Sequence, residues 1–166
     1  MKVFCVSGFS KSGKTTTVIN LIKELKKRGY MVASMKGIHN KNFTMEKKGS
    51  DTWQHMNAGA VTVIARAENE TYQIWNEKRT INQLLEGIKA DWVIIEGMKS
   101  EIFPKIICAK NKEELDDLVD NTTFAISGIY SNNHYSYNTK KFGIIPVINS
   151  IDNIEEITNF VEKKIN

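Results

Sequence analysis

The sequence has 166 residues, of which 41% are hydrophobic, and this is enough for one compact domain with a buried core. The 23 basic and 19 acidic side chains give a net charge of +4, but they are interleaved and form no basic-aromatic stripe, which argues against a nucleic-acid-binding protein. No stretch approaches the roughly twenty apolar residues of a membrane span, and the chain starts on a strand pattern, not on a signal peptide. We therefore expect a single cytoplasmic domain over 1–166 with no nucleic-acid or membrane partner.

The first half of the chain alternates strand patterns with helical ones. Apolar runs and helical periodicity predict strands over 2–7, 30–36, 61–67 and 71–76 and helices over 14–28, 50–59 and 80–88. Ser50 or Asp51 would cap the second helix, and the "ENE" at 68–70 would form a hairpin turn. Residues 37–49 lose periodicity and are predicted as a long polar loop.

The second half continues this alternation. We predict strands over 91–97, 103–110, 123–128 and 143–149, with helices over 113–119 and at the carboxyl terminus. Pro146 would place the last strand near a sheet edge, and Asp152 with Glu155 would cap the last helix. Cys5 and Cys108 lie in apolar runs, where reduced thiols behave as small hydrophobes. This order of elements predicts an α/β fold with a mostly parallel central sheet and helices on both faces.

The stretch "GFSKSGKT" at 8–15 has the spacing of a phosphate-binding loop. It connects a predicted buried strand to a predicted helix, as such a loop must. Its glycines let backbone N–H groups converge on phosphates, and the helix amino terminus adds further donors. Lys14 would reach the β and γ phosphates, and the Thr15 hydroxyl would bind magnesium. The alternative is an ordinary Ser/Gly turn.

Glu96 is predicted as the acidic partner of this loop. It follows four apolar residues in "DWVIIEG", a pattern typical of a central strand buried on both faces. At the exit of that strand its carboxylate would act on a cation. The alternative is an ordinary strand-end acid. Asp91 starts the same strand and so lies at the wrong end for the phosphates.

The polar loop after the second strand is the other candidate for chemistry. Lys36, His39 and Lys41 lie in or beside it, and Asp51 follows it. The three histidines and two cysteines of the chain show no spacing typical of zinc ligands. Long polar loops carry function, so we expect one that closes over a nucleotide.

These residues together resemble the molybdopterin-guanine dinucleotide biosynthesis protein B family, MobB, over most of the chain. The motifs that carry the resemblance are "GFSKSGKTT", then Lys36, His39, Phe43, Glu46, Gly49, Asp51 and Thr52, then "AGA" at 58–60, "IIEGMK" at 94–99 and Pro104, Lys105 and Ile106. The chain departs from the family pattern where several histidines are usual, with Gly37 and Asn40 in their place. Phe9 stands where several dimerising relatives have a basic residue.

The MobB resemblance implies a P-loop GTPase-like fold that binds GTP with magnesium, hydrolyses it slowly and often forms a homodimer. It implies work beside the nucleotidyltransferase MobA in attaching GMP to the molybdopterin cofactor. No Asn-Lys-x-Asp guanine signature is present, and "NKEE" at 111–114 only approaches it. The predicted nucleotide-binding residues are Gly8, Ser10, Lys11, Ser12, Gly13, Lys14, Thr15 and Thr16.

The remaining predicted site residues are assigned to catalysis, to the metal or to the cofactor. Lys14, Glu96 and Asp51 would be catalytic; Thr15, Glu96 and Asp51 would hold the metal; Lys36, His39 and Lys105 would contact phosphates or the cofactor. Two alternative functions stay open at this point: a small-molecule kinase and a metallochaperone GTPase for nickel or cobalt. The chain has only three arginines, fewer than a kinase lid usually uses, and no Cys/His cluster.

Overall fold

The computed structural model describes residues 1–40, 42–98 and 102–165. Lys41 and Lys99, both named above, lie outside the described residues. The chain divides into two compact units, Met1–Ile38 with Lys89–Asn166 and His39–Ile88. The single domain over 1–166 stays a prediction. Among the described residues, no helix combines the length and hydropathy needed to cross a bilayer.

The secondary structure alternates strands and helices along the chain. The strands are β1 (Lys2–Gly8), β2 (Val32–Lys36), β3 (Thr62–Arg66), β4 (Thr71–Trp75), β5 (Trp92–Glu96), β6 (Lys105–Cys108), β7 (Thr123–Ser127), β8 (Ser136–Thr139) and β9 (Gly143–Pro146). The helices are α1 (Lys14–Lys27), α2 (Asp51–Asn57), α3 (Ile81–Glu86), α4 (Lys112–Leu118) and α5 (Ile154–Lys164).

A five-stranded parallel sheet in the order β2-β5-β1-β6-β7 forms the centre of the first unit. All five residues of β5 are buried, as the apolar run preceding Glu96 predicted. Parallel strands need both faces covered, and their sequences accordingly read as continuous apolar runs. This confirms the α/β fold with a parallel central sheet. The carboxyl ends of β1, β2 and β5 consequently meet at one edge of the sheet.

Helices cover both faces of this sheet. On one face, Leu21 and Leu25 of α1 and Ile157 and Val161 of α5 pack on apolar side chains of β1, β5, β6 and β7. On the other face, Leu115 of α4 packs with residues of β6 and β7 and of the β8–β9 hairpin. Burying one such aliphatic side chain contributes about 1.5 to 3 kcal/mol. These contacts fix α1 on the sheet, and α1 carries the candidate loop at its amino end.

Arg28 joins the carboxyl end of α1 to α5. Its Nε donates to Glu24 Oε1 at 2.9 Å, and its Nη1 donates to Glu162 Oε2 at 2.6 Å and to Asn159 Oδ1 at 2.7 Å. The hydrogen bond from Arg28 lowers the pKa of Glu24, so the Glu24 carboxylate stays ionised although it is nearly buried. A 14-residue helix is about 20 Å long, so this cluster lies far from the loop.

The second unit contains the β3–β4 hairpin and two short capped helices. Ser50 caps α2 by accepting a hydrogen bond from the Trp53 N–H, which decides between the two caps that the sequence allowed. Thr80 caps α3 in a reciprocal capping box with Gln83. Val63 of β3 is buried, whereas neither helix buries a residue completely.

The region after β7 departs from the prediction in two ways. The segment 143–149 does not form one strand of the main sheet: Gly143–Pro146 pairs antiparallel with the unpredicted strand β8, and Val147 makes a single parallel bridge to Ile126. The predicted cap of the last helix is also wrong, since the N-cap of α5 is Asn153 and not Asp152. Asn149 Oδ1 instead accepts from the N–H groups of Ile151 and Asp152, which holds the chain in a turn before the helix.

Candidate nucleotide-binding site

The loop between β1 and α1 can be built only with glycine at its first position. β1 ends at Gly8 and α1 begins at Lys14, so the motif joins a buried strand to a helix as predicted. A Cβ atom at Gly8 would lie 2.1 Å from the Cys108 carbonyl oxygen and 2.7 Å from Ser12 Oγ. No side chain fits at that distance. The absence of a Cβ therefore lets the loop pass close over the end of β6.

Gly128, just after β7, supports the loop from below. A Cβ there would lie 2.1 Å from the Ser12 carbonyl oxygen, and the residue has a φ of +77°. The next residue, Ile129, donates its N–H to that same oxygen at 3.2 Å. Gly13, the N-cap of α1, has a φ of +96° and packs so closely on Gly128 that a Cβ would meet its Cα at 2.9 Å. Gly128 was not among the predicted site residues, since the sequence shows it only as the last residue of the predicted strand 123–128.

Lys14 lies across the loop that it follows. Its Nζ donates a hydrogen bond of 2.6 Å to the Phe9 carbonyl oxygen. The first N–H groups of a helix have no acceptor within the helix, so the amino end of α1 presents donors and a partial positive charge. The buried Ser12 Oγ has no hydrogen-bond partner among the described residues. An ammonium, helix N–H groups and an unpaired hydroxyl are the donor set that phosphate oxygens accept.

Glu96 brings three elements together at the carboxyl edge of the sheet. Its Oε1 accepts from Thr15 Oγ1 of α1 at 2.8 Å and from Lys36 Nζ of β2 at 3.1 Å. The register explains the meeting, because Glu96 of β5 is paired with Lys36 on one side and with Val6 on the other. The Glu96 side chain is 10% exposed, whereas that of Lys36 is 59% exposed. The sequence-predicted Thr15, Lys36 and Glu96 are thus in direct contact.

Lys105 is not among the residues brought together at this edge. It begins β6 and is paired with Cys5 in the middle of β1, about 10 Å along the strand from the loop. Its buried Nζ donates to Asp120 Oδ2 at 2.7 Å. Burial would raise the pKa of Asp120, but the hydrogen bonds from Lys105 and Thr122 outweigh it and lower that pKa to about 2. The predicted contact of Lys105 with phosphate or cofactor stays a prediction.

Asp51 and His39 belong to the second unit. Asp51 is the exposed first residue of α2, where its charge favours the helix amino end. Its predicted place in the metal shell and the predicted contact of His39 both stay predictions. Over the described residues, no group of three or more His, Cys, Asp or Glu side chains is arranged to hold a metal ion.

The Cys108 thiol lies directly below the loop and is chemically inert there. Its sulfur donates to Thr17 Oγ1 at 3.5 Å, and the residue has no exposed surface. Complete burial raises the pKa of Cys108 to about 12. A thiol with such a pKa is not a nucleophile near neutral pH. Cys108 is therefore part of the packing beneath the site and not of its chemistry.

Comparisons with known proteins point to one family. The molybdopterin-guanine dinucleotide synthesis protein B model matches residues 3–131. A molybdopterin-guanine dinucleotide biosynthesis adapter protein from Haemophilus influenzae is 33% identical over 125 residues, which cover 69% of either chain. A relative of the same adapter-protein name from Methanocaldococcus jannaschii is 30% identical over 83% of this chain, but only 57% of its own length is matched.

A solved structure shows the same fold over the whole chain. The crystal structure of Bacillus subtilis MobB superposes with a TM-score of 0.77 at 21% identity, and the match covers 100% of this chain and 99% of that one. This likeness extends over the segment after residue 131, which the family model does not match. From the family model and the Haemophilus influenzae relative, the chain belongs to the MobB family of molybdopterin-guanine dinucleotide synthesis proteins.

Proposed function

We propose that this chain is a GTP-binding accessory protein with weak magnesium-dependent GTPase activity that acts in molybdopterin-guanine dinucleotide biosynthesis. One observation carries the proposal: the loop at 8–15 and the Glu96 carboxylate meet at one sheet edge, joined by the Thr15 hydrogen bond of 2.8 Å. A phosphate loop and a strand-end carboxylate on the same threonine are the two halves of a site for a nucleotide and its metal ion.

The residues present fit a triphosphate. The contacts that exclude a Cβ at Gly8 and Gly13 let the loop backbone curve closely, so that its N–H groups can face an anion. Ser12 Oγ is buried without a partner in the described part of the chain, as a group would be whose acceptor arrives with the ligand. Lys14 would exchange the Phe9 carbonyl for phosphate oxygens.

The same residues fit a magnesium ion. Hydroxyl and carboxylate oxygens are the ligands that this ion prefers, and Thr15 and Glu96 supply one of each. Asp51 is proposed as a further member of the metal shell. When bound, the ion would neutralise charge on the β and γ phosphates. Lys36, in contact with Glu96, would add positive charge at the same place.

Hydrolysis by the protein alone is expected to be slow, well below one turnover per second. Arginine fingers raise such rates by about 10³ to 10⁵. Arg28 is held at the far end of α1 by Glu24 and Glu162. Arg66 and Arg79 belong to the second unit, where Arg79 lies over the Trp75 ring at 5.3 Å. GTP would therefore serve mainly as a bound ligand or as one passed to a partner.

The proposed partner is a MobA-type nucleotidyltransferase that attaches GMP to the molybdopterin cofactor. The grounds for this step are the family and the names of its relatives. It is a proposal because the chain spans only 57% of the Methanocaldococcus jannaschii protein. A homodimer of this chain is part of the same proposal.

The test is reconstitution with molybdopterin, GTP and a MobA-type transferase. Adding this protein should raise the yield of the guanine dinucleotide cofactor, and Lys14→Ala should remove the increase because it removes charge at the phosphates. Lys23→Ala, which changes an exposed lysine of α1, is the matched control and should stimulate like the wild type. No stimulation by the wild type would refute the proposal. Efficient phosphorylation of a small metabolite by the protein alone would favour the kinase instead.

A further inference from the structure

A cavity of about 120 Å³ opens beside the first turns of α1. On the side of the loop, the cavity is lined by Gly13, Thr16 and Thr17. Three other described residues, Lys14, Thr15 and Glu96, do not line it. In the proposed function, those three residues hold the metal ion and the β and γ phosphates. The rest of a nucleotide must therefore leave the loop past other residues. Gly13 and Thr16, which are also predicted to bind the nucleotide, line this cavity, so the cavity adjoins the loop.

Two asparagine amides at this cavity have orientations set by the protein itself. Asn149 Oδ1 accepts from the N–H groups of Ile151 at 2.8 Å and Asp152 at 3.4 Å, so its Nδ2 must point away from that turn. This Nδ2 donates to Asn132 Oδ1 at 3.0 Å. Asn132 therefore keeps its own Nδ2 as a donor for a further partner, and both asparagines line the cavity.

Donors of this kind distinguish the two purines. Guanine carries the acceptors N7 and O6 side by side, whereas adenine carries N7 beside an amino group that is itself a donor. An amide N–H that meets O6 makes a hydrogen bond, but one that meets the adenine amino group leaves two donors facing each other. The amide pair of Asn132 and Asn149 therefore suits guanine.

A second cavity, of about 210 Å³, shares Asn132 and Asn149 with the first and is also lined by Asp152. An ionised carboxylate only accepts hydrogen bonds, and guanine carries a 2-amino donor that adenine lacks. Beside the first cavity, Ile129 and Ile151 are 47% and 65% exposed and line it with apolar surface, which a flat base can cover. Apolar walls thus belong to the first cavity and the carboxylate acceptor to the second, and the two asparagines line both.

We propose that this cavity pair receives the nucleobase, and that Asn132 and Asp152 select guanine over adenine. The proposal rests on the proposed function, because it assumes that the phosphates occupy the loop. The proposal adds the residues that recognise the base, since a loop that contacts only phosphates cannot distinguish one base from another. Asn149 has two roles: it orients Asn132, and it is itself a donor.

The experiment compares magnesium-dependent binding of GTP, ITP, ATP and inorganic tripolyphosphate by calorimetry. The wild type should bind GTP about tenfold or more tightly than ATP, the size expected for one well-placed hydrogen-bonded pair. Asn132→Ala should weaken GTP binding about tenfold and leave tripolyphosphate binding unchanged. Asp152→Ala should weaken GTP binding to the level of ITP, which lacks the 2-amino group, without changing ITP binding.

Matched controls are Asn133→Ala, next to Asn132 and exposed, and Asp117→Ala on the exposed side of α4, and both should bind as the wild type does. Equal affinity of the wild type for GTP and ATP would overturn the base-reading proposal. So would an equal loss of tripolyphosphate binding in the Asn132 or Asp152 variants, since their effect would then not be on the base. If neither tripolyphosphate nor any nucleotide binds to the wild type, the proposed function fails and this inference fails with it.

Discussion

Glu96 accepts hydrogen bonds from a threonine and a lysine of two other elements, so its single carboxylate links α1, β2 and β5. An ordinary strand-end acid would need only water as a partner. Glu96 differs from such an acid because it is buried, and a buried carboxylate must be compensated by charge or by hydrogen bonds. Lys36 and Thr15 provide that compensation.

We predict that Glu96→Gln weakens magnesium-dependent nucleotide binding by about 10- to 100-fold, the range found when a group that holds or orients a metal ion is replaced. Binding without magnesium should change much less. Titrations with and without the ion measure both. Asp91→Asn is the matched control, because Asp91 precedes β5 and so lies at the amino-terminal end of the strand, where it accepts a hydrogen bond from the Met31 N–H. Equal losses with and without magnesium would identify Glu96 as a structural acid only.

Asp120 makes a pH-dependent contribution to stability through Lys105. Its pKa of about 2 in the folded protein lies below the ordinary value of 3.8, so the folded state binds this proton less tightly than the unfolded chain does. The contribution is therefore complete above about pH 4 and is lost as the pH falls toward 2. Asp120→Asn should lower the free energy of unfolding by about 1 kcal/mol at pH 7, because the Asp120 side chain is 42% exposed and solvent screens its attraction to Lys105.

Urea unfolding at pH 6 and at pH 2.5 measures this effect. The difference in stability between wild type and Asp120→Asn should be largest at pH 6 and should shrink at pH 2.5, where the wild-type carboxylate is also becoming protonated. Asp117→Asn on exposed α4 is the control and should track the wild type at both pH values. A constant difference would show that the ion pair with Lys105 does not carry the effect.

At the scale of elements, the loop depends on the segment after β7 as much as on its own sequence. Gly128 presses against the Ser12 carbonyl, and Ile129 donates to it. The residues that follow β7 thereby support a loop that lies more than a hundred residues earlier in the chain. Substitutions at this contact should disturb phosphate binding without touching the motif.

We predict that Gly128→Ala abolishes nucleotide binding and costs more stability than Gly143→Ala. Both glycines have a positive φ, +77° and +75°, which side chains of L residues rarely adopt, so an alanine would be strained at either position. Only Gly128 also meets neighbouring atoms, which adds about 1 to 3 kcal/mol for overpacking. Thermal unfolding and nucleotide titration check this pair, and equal behaviour of the two variants would refute the supporting role of Gly128.

Sequence patterns sufficed for the centre of the sheet because β1, β5 and β6 are largely buried and therefore strongly apolar. The connection of β1 to α1 through the loop at 8–15 was predictable because the motif and its flanking patterns are local in sequence. Strand β8 was missed because only Tyr137 of its four residues is buried, so the segment reads as polar. The α5 cap was misplaced because Asn149 competes for the N–H of Asp152. Gly128 was missed because its role comes from a contact with Ser12, which no local pattern reveals.

At the scale of the whole molecule, the two units differ in how much of their surface is buried. Both large apolar clusters belong to the unit that contains the parallel sheet. Among the described residues of the unit His39–Ile88, Val63 is the one buried hydrophobic residue. Its neighbours Val61 and Ile64 are 81% and 63% exposed. Regions with little buried apolar surface open at a lower free energy.

We predict that amides of β3 and β4 exchange with deuterium at least about tenfold faster than those of β1 and β5. In this two-stranded hairpin each strand has one partner strand, whereas β1 and β5 lie inside the five-stranded sheet and each have two. Exchange followed by mass spectrometry of peptides resolves the two groups. Uniform protection across the chain would contradict this prediction and would indicate a single cooperative body.

The hydrogen bond from Lys14 to the Phe9 carbonyl has a consequence for association kinetics. Because the Lys14 ammonium donates to the Phe9 carbonyl oxygen, a contact within the chain holds the loop backbone in its curved form, and this reduces the conformational entropy to be lost on binding. Capture of a triphosphate then requires one hydrogen-bond exchange at Nζ, not the folding of a loop. Encounter rates should therefore depend on the attraction between an anion and the nearby ammonium groups, and should fall as ionic strength rises.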